Sequence, residues 1–160
     1  MHHPADTKEQ IDLLALFRQY AASVRRDRRL AGDNVLTLTL QSQLASHDSV
    51  TLDAKIEAGV VSELGYRVRA CSLAQASTGI LAARVPGLIE VDLLRALKDL
   101  ETILQNQQTD SNTLIWPELQ VFVNAIGMPD RHQVVLLPFQ VLQQLFKLEE
   151  SKANTGCLQG

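Results

Sequence analysis

Cysteine is scarce in this sequence of 160 residues, which contains two, Cys71 and Cys157, far apart and in different surroundings. Two such cysteines do not suggest the disulfide framework of a small secreted protein, so they favour a reducing compartment. A basic start followed by an apolar run, which marks a signal peptide, is missing from the N-terminal residues. No apolar stretch reaches the roughly 20 residues that span a bilayer. The sequence therefore predicts a cytoplasmic protein without a membrane partner.

Positive charge is also lacking, because the formal net charge is −3. A chain with this balance is not expected to bind nucleic acid as its main partner. The short basic run at 25–29 has four arginines around Asp27, and it is interpreted as a solvated helix end.

Motifs of the common enzyme classes are missing as well. There is no Ser/His/Asp set, no glycine-rich phosphate loop and no pair of carboxylates within a catalytic motif. We therefore expect that the protein is not an enzyme.

Three strand signals stand in the first half of the chain, where apolar residues alternate with polar or β-branched ones. They lie at 35–40, 49–57 and 60–70, and Ala58-Gly59 supplies a tight turn between the last two. The middle strand has apolar side chains on one face and polar side chains, among them Asp53, on the other. This pattern predicts an antiparallel meander with one solvated face.

Helical patterns occupy most of the remaining sequence. The predicted helices lie at 8–26, at 71–85, at 90–105, from Trp116 to Gly127, and at 131–150 with a bend at Pro138. Residues 151–160 are small and polar, and they are predicted to form a flexible tail. Residues 1–160 are expected to form a single α+β domain, in which a three-stranded antiparallel sheet has helices packed on one face.

The segment from Gly65 to Ser77 carries the clearest chemical signal. It is a strand that ends at Cys71, which opens a helix rich in small residues. A thiol at a helix N-terminus meets unpaired backbone N–H groups and the positive end of the helix dipole. This setting favours the thiolate that metal ligation or persulfide chemistry needs, as Arg69 also does if it turns toward the sulfur. The alternative reading of the same residues is a small buried cysteine at the start of a core helix.

The run Ala70-Cys71-Ser72-Leu73-Ala74-Gln75-Ala76-Ser77, placed after a strand, resembles the second-cysteine region of NifU/IscU-type iron–sulfur cluster scaffolds. Ser46, 25 positions before Cys71, then takes the place of the first family cysteine. His47 follows in the place of a glycine, and Asp48 stands at the family aspartate.

The segment Asp130–Phe139 resembles the family's Arg-x-x-Cys-x-x-Leu-x-Trp segment at the start of the last helix. Val134 occupies the position of the third cysteine and Phe139 the aromatic position. The resemblance covers residues 10–148 approximately, and it implies the scaffold fold and a role in iron–sulfur cluster assembly.

The resemblance also implies a site centred on Cys71 and Asp48, where the family gathers its ligands. With two of the three family cysteines replaced, one chain is not expected to hold a stable [2Fe–2S] cluster alone, since such clusters rely on thiolates. A homodimer that shares a cluster is one alternative. A mixed site for zinc or iron, in which His47 and His132 join Cys71 and Asp48, is another.

A different alternative is a degenerate family member that holds no cluster. Such a protein would dock to a cysteine desulfurase or to another iron–sulfur assembly protein, or it would carry a persulfide on Cys71. Cys157 is interpreted as a free thiol outside the site.

Overall fold

A four-stranded antiparallel sheet with helices packed against it forms the part of the chain described by the computed structural model. The description covers residues 4–43, 47–107 and 112–158, the side chains of 4–11 and 153–158 excepted. The elements in chain order are α1 (Pro4–Ser23), β1 (Val35–Gln41), β2 (Ser49–Glu57), β3 (Val60–Arg69), α2 (Ser72–Ala83), β4 (Leu88–Ile89), α3 (Glu90–Leu104), two 3-10 segments (Pro117–Ala125 and Pro129–Arg131) and α4 (His132–Leu158).

The predicted α+β class and the antiparallel meander are confirmed, with the strands in the order β1-β2-β3-β4. The expected number of three strands is wrong, because Leu88–Ile89 pairs with Val60–Val61 as a short fourth strand. Two residues are too few to show the alternation by which a strand is recognised in a sequence. The hairpin between β2 and β3 turns at Ala58 and Gly59, both at positive φ (52° and 78°), as a type I′ turn requires.

The helix boundaries differ most from the prediction at the two ends of the chain. Helix α1 ends at Ser23, before the arginine run, and α4 continues to Leu158 with Pro138 inside it. The backbone of residues 151–158 is therefore helical, and the flexibility proposed for 151–160 stays a prediction. In the described residues, no helix is long and apolar enough to cross a membrane.

The main core lies between the sheet and the helices. Apolar side chains of β2, such as Leu52, meet the helical layer, in which Phe122 and Phe139 are fully buried. The rings of Phe17 and Phe122 contact edge to face at 6.3 Å between centroids. Burial of this many apolar side chains supplies most of the free energy that favours folding.

The opposite face of the sheet is not simply solvated, which corrects the prediction for Asp53. The Asp53 side chain is completely buried. It accepts hydrogen bonds from Arg29 (Nε 2.7 Å, Nη2 3.0 Å), from the Leu30 amide (3.0 Å) and from the Thr37 hydroxyl (2.7 Å). Burial raises the pKa of Asp53, but the hydrogen bonds that it accepts, first those from Arg29, outweigh burial and hold it below its usual range.

The arginine run at 25–29, interpreted from the sequence as a solvated helix end, also makes contacts with the sheet. Arg28 pairs with Tyr66 through both backbone groups (3.0 Å and 2.6 Å), so the chain after α1 lies along β3. Gly65 permits this approach, since a Cβ at that position would stand 2.6 Å from the Arg28 carbonyl oxygen and 2.9 Å from Asp53 Oδ2. The buried carboxylate thus fastens the segment Arg28–Leu30 to the sheet.

We expect Asp53→Asn to lower the free energy of unfolding at pH 7 by roughly 2–3 kcal/mol, less than for a fully buried ion pair because Arg29 is half-exposed. The folded-state pKa lies below the unfolded value of about 3.9. The stabilisation is therefore complete above that value and disappears as the pH falls through the folded-state pKa. Urea unfolding at pH 7 and in acid measures the difference.

The control is Asp27→Asn, which removes a carboxylate whose ion pair with Arg69 lies on the surface. We expect only a small decrease in the free energy of unfolding in this variant, as for most exposed ion pairs. Equal stability of the Asp53→Asn variant and the unmodified protein at pH 7 would contradict the role given to Asp53.

Candidate functional site

Three segments that are distant in sequence meet at one end of the sheet. Because β2 is antiparallel to both neighbours, the pairs Gln41–Ser49 and Ser49–Arg69 place the end of β1, the start of β2 and the end of β3 side by side. The Ser42 amide donates to the Asp48 carbonyl at 2.9 Å. The Ser42 hydroxyl donates to Gln133 Oε1 at 3.0 Å, which adds the first turn of α4 to the same end.

Cys71 lies at this end, directly after β3, and is the N-cap residue of α2. Its backbone is extended (φ −68°, ψ 173°), and its carbonyl accepts the first helical hydrogen bond, from the Gln75 amide at 3.1 Å. The thiol is free, half-buried and makes no capping hydrogen bond. The predicted location of Cys71 at a helix N-terminus is therefore confirmed.

The half-buried thiol faces a cavity of about 300 Å³. Residues from three other parts of the chain line the cavity: Phe17 of α1, Asn124 of the first 3-10 segment, and Met128 with Arg131 just before α4. A guanidinium and an amide thus share this space with the sulfur. A cavity of this composition suits a small anion or a partner's reactive group.

Arg131, and not Arg69, is the arginine that lines the cavity with Cys71. Arg69 makes a two-point ion pair with Asp27 (2.9 Å and 2.8 Å) and is held there. Sequence reasoning missed Arg131 as a neighbour of Cys71, although it stands in the segment that resembles the family. Asn124 gave no signal, because nothing in a short 3-10 segment marks a residue that lines a cavity.

The two histidines lie in different surroundings. His47 is exposed, with a positive φ of 78°, in the connection between β1 and β2. His132 Nε2 lies 3.0 Å from the Ala125 carbonyl oxygen. Since a carbonyl oxygen only accepts, Nε2 carries the proton, and Nδ1 alone is available as a ligand atom.

The predicted metal ligands Cys71, Asp48, His47 and His132 do not form a compact set. In residues 12–43, 47–107 and 112–152, whose side chains the structure describes, no three side chains of the His, Cys, Asp and Glu types lie close enough to hold one ion. Val134 is fully buried, so the position of the third family cysteine serves the core. Ser46 lies outside the described residues. One thiol does not fit the thiolate requirement of an iron–sulfur cluster, and the metal assignment of these four residues stays a prediction.

We expect Arg131→Gln to lower the preference of Cys71 for an anionic over a neutral alkylating reagent, measured as the rate ratio of iodoacetate to iodoacetamide. The ratio cancels any change in the thiolate fraction. A decrease of roughly two- to fivefold corresponds to about 0.5–1 kcal/mol from a partly screened charge. The variants carry Cys157→Ser, so that the reaction reports on Cys71.

The matched control is Arg26→Gln, which removes the same charge from an exposed residue outside the cavity. The ratio should not change in this variant. Equal ratios in Arg131→Gln and Arg26→Gln would show that the Arg131 charge does not act on the thiol.

The similarity of this chain to known proteins is found in the comparison of structures. Neither a family model nor a curated protein matches the chain. Among solved structures, the N-terminal part of a nitrogen-fixing NifU-like protein from Brucella abortus is similar with a TM-score of 0.75 and 25% identity. The match covers 89% of this chain and 99% of that one.

Two further solved structures share the fold. One is a protein described as hypothetical, with a TM-score of 0.70, 16% identity, and coverage of 86% of this chain and 98% of that one. The other, from Fervidobacterium islandicum AW-1, is assigned as an iron–sulfur cluster assembly scaffold for the SUF system. It has a TM-score of 0.65, 19% identity, and coverage of 80% of this chain and 91% of that one. The chain therefore has the fold of NifU/IscU-type proteins, which agrees with the resemblance of its sequence.

Proposed function

We propose that this protein acts in iron–sulfur cluster assembly as a scaffold-type protein, and that Cys71 is its working residue. The observation that carries the proposal is the free, half-buried Cys71 thiol at the start of α2, facing a cavity that Arg131 also lines. Its location at the sheet end where β1, β2, β3 and α4 converge supports a site there. Similarity to a NifU-like protein and to an assembly scaffold supports the process.

The proposed role is binding and transfer, without an enzyme activity of its own. A reducing compartment such as the cytoplasm would keep Cys71 as a thiol. In the scaffold form of the proposal, the cargo is iron or a cluster, with Cys71 and Asp48 as ligands from this chain. Among the side chains that the structure describes, Cys71 is the one thiol, and the proposal places the remaining ligands on a second chain or on an assembly partner.

A second candidate, sulfur carriage, is favoured by the isolation of the thiol. In this form a cysteine desulfurase docks at the site and presents a persulfide. The Cys71 thiolate attacks the outer sulfur, a bond forms between that sulfur and Cys71 Sγ, and the donor's S–S bond breaks. The donor leaves as a thiolate, so the exchange needs no external oxidant or reductant. One accessible thiolate is sufficient for this step.

The positive charge of Arg131 fits both forms of the proposal. A persulfide is more acidic than a thiol, and a thiolate-bound metal also places negative charge at the sulfur. A guanidinium in the same cavity favours each of these states relative to an apolar wall. The valine at position 134, fully buried, supplies no such assistance.

We expect Cys71→Ser to abolish both cargo and sulfur binding, and Cys157→Ser to leave them largely unchanged. Iron, zinc and labile sulfide are measured in protein purified without oxygen. Persulfide is measured by mass spectrometry as the addition of one sulfur atom at Cys71, after incubation with a cysteine desulfurase and cysteine. The matched serine substitution at position 157 controls for the general loss of a thiol.

The outcomes separate the two forms. Iron with sulfide that is lost in Cys71→Ser indicates cluster cargo, zinc alone indicates a mixed metal site, and persulfide without metal indicates sulfur carriage. Equal losses in the two serine variants would show that the site is misplaced. A wild-type protein that takes up neither metal nor sulfur would refute the proposed function.

A further inference from the structure

The outer edge of β1 is an unpaired sheet edge in the part of the chain that the structure describes. Strand β1 is the first of the four strands and pairs with β2 on one side only. The pairing is regular from Val35 to Gln41, without a bulge. The Val35 amide donates to the Gly32 carbonyl oxygen at 3.3 Å, and the other backbone groups on the outer side of such a strand are able to pair with another strand.

Sheet edges in soluble proteins are usually protected by charged residues, proline, a bulge or a short length. Strand β1 has the sequence Val-Leu-Thr-Leu-Thr-Leu-Gln, with seven residues, no charge and no proline. Its valine and its two threonines have high β propensity. Leu36, Leu38 and Leu40 pack against the core, yet they remain only partly buried. A further strand at this edge would complete their burial.

The sequence of β1 matches itself when it is reversed. Leu-Thr-Leu-Thr-Leu, residues 36–40, reads the same in both directions about Leu38. In an antiparallel pair centred on Leu38, this residue faces its own copy, Leu36 faces Leu40, and Thr37 faces Thr39. The interface is then self-complementary, as a twofold dimer requires.

The polar groups and charges at the edge are compatible with this pairing. The Thr37 and Thr39 hydroxyls are already hydrogen-bonded to Asp53 and Thr51, so pairing leaves neither without a partner. Beyond the strand, the same register brings Asp33 opposite Gln43, and no like charges face each other. Cross-strand pairs of apolar side chains and of threonines are both favourable.

We propose that β1 pairs antiparallel with β1 of a second copy of this chain, about a twofold axis at Leu38, to form a continuous eight-stranded sheet. A contact based on one seven-residue strand is small by the standard of stable interfaces. The dimer is therefore in concentration-dependent exchange with the monomer.

This geometry has a consequence for Cys71. The end of β1 near Gln41 is the site end, and antiparallel pairing sends the two site ends in opposite directions. At about 3.4 Å per residue, the two sites are separated by roughly 20 Å or more. The two thiols of this dimer do not share one cluster, so each site acts independently.

The test is the cross-linking of Leu38→Cys in a chain that also carries Cys71→Ser and Cys157→Ser. Because residue 38 faces its own copy, mild oxidation with copper phenanthroline should join most of the chains into dimers. Gln41→Cys in the same background is the control, since position 41 faces Val35 of the second copy and the two introduced sulfur atoms would be far apart.

Sedimentation of the wild-type protein over increasing concentration should show a mass rising from 17.7 kDa toward twice that value.

A wild-type mass that stays at 17.7 kDa up to a protein concentration of about 1 mM would overturn the proposal. Equal cross-linking of the two cysteine variants, or cross-linking of neither, would overturn the register. Circular dichroism confirms that both variants are folded before they are compared. Since the cross-linked chains lack Cys71, these results do not depend on the proposed function.

Discussion

The backbone hydrogen bonds that hold β2 between β1 and β3 determine which parts of this chain are able to meet. With Ser49 paired to both Gln41 and Arg69, the two connections that follow β1 and β3 open at the same end of the sheet. A shift of one residue would exchange the faces of the strand and turn Leu52 away from the helical layer. Core burial therefore enforces the register, and the register in turn places Asp48 and Cys71 at one end. The candidate site is a consequence of how the core packs.

Local sequence patterns were sufficient for the elements that are regular over several residues. The alternation along β2, the Ala58-Gly59 turn and the small-residue helix after Cys71 all depend on short-range preferences that a sequence expresses directly. The attachment of the segment Arg28–Leu30 to buried Asp53 could not be predicted in this way. Its partners lie 23 and 24 positions apart, and no period links them. The sequence could not show that Arg131 lines the cavity with Cys71 for the same reason. The two residues are distant in sequence, and they share the cavity because of where the start of α4 packs against the end of the sheet.

The position that the resemblance assigns to a third cysteine is occupied here by a core residue, which favours stability over ligand binding at the sheet end. A thiol that binds metal must reach the site, whereas the fully buried Val134 contributes apolar burial of about 1.5–3 kcal/mol. His132, whose proton on Nε2 is engaged by the Ala125 carbonyl, is likewise part of the packing at the start of α4. The Cys71 thiol and the Arg131 guanidinium line the cavity at this end. In the proposed function, one thiol is sufficient for sulfur exchange, whereas a cluster requires further thiolates.

The two proposals concern different parts of the same sheet: the site lies at the strand ends, and the dimer contact lies along the side of the edge strand. Chemistry at Cys71 uses the strand ends, where the backbone turns away and side chains converge in a cavity. Pairing of β1 uses the strand side, where the backbone groups point outward along the sheet. Because antiparallel pairing leaves both strand ends free, a partner protein is able to reach Cys71 in the dimer as in the monomer. If a cluster is nevertheless shared between chains, the contact that brings two Cys71 residues together must be a different one, formed at the sheet ends.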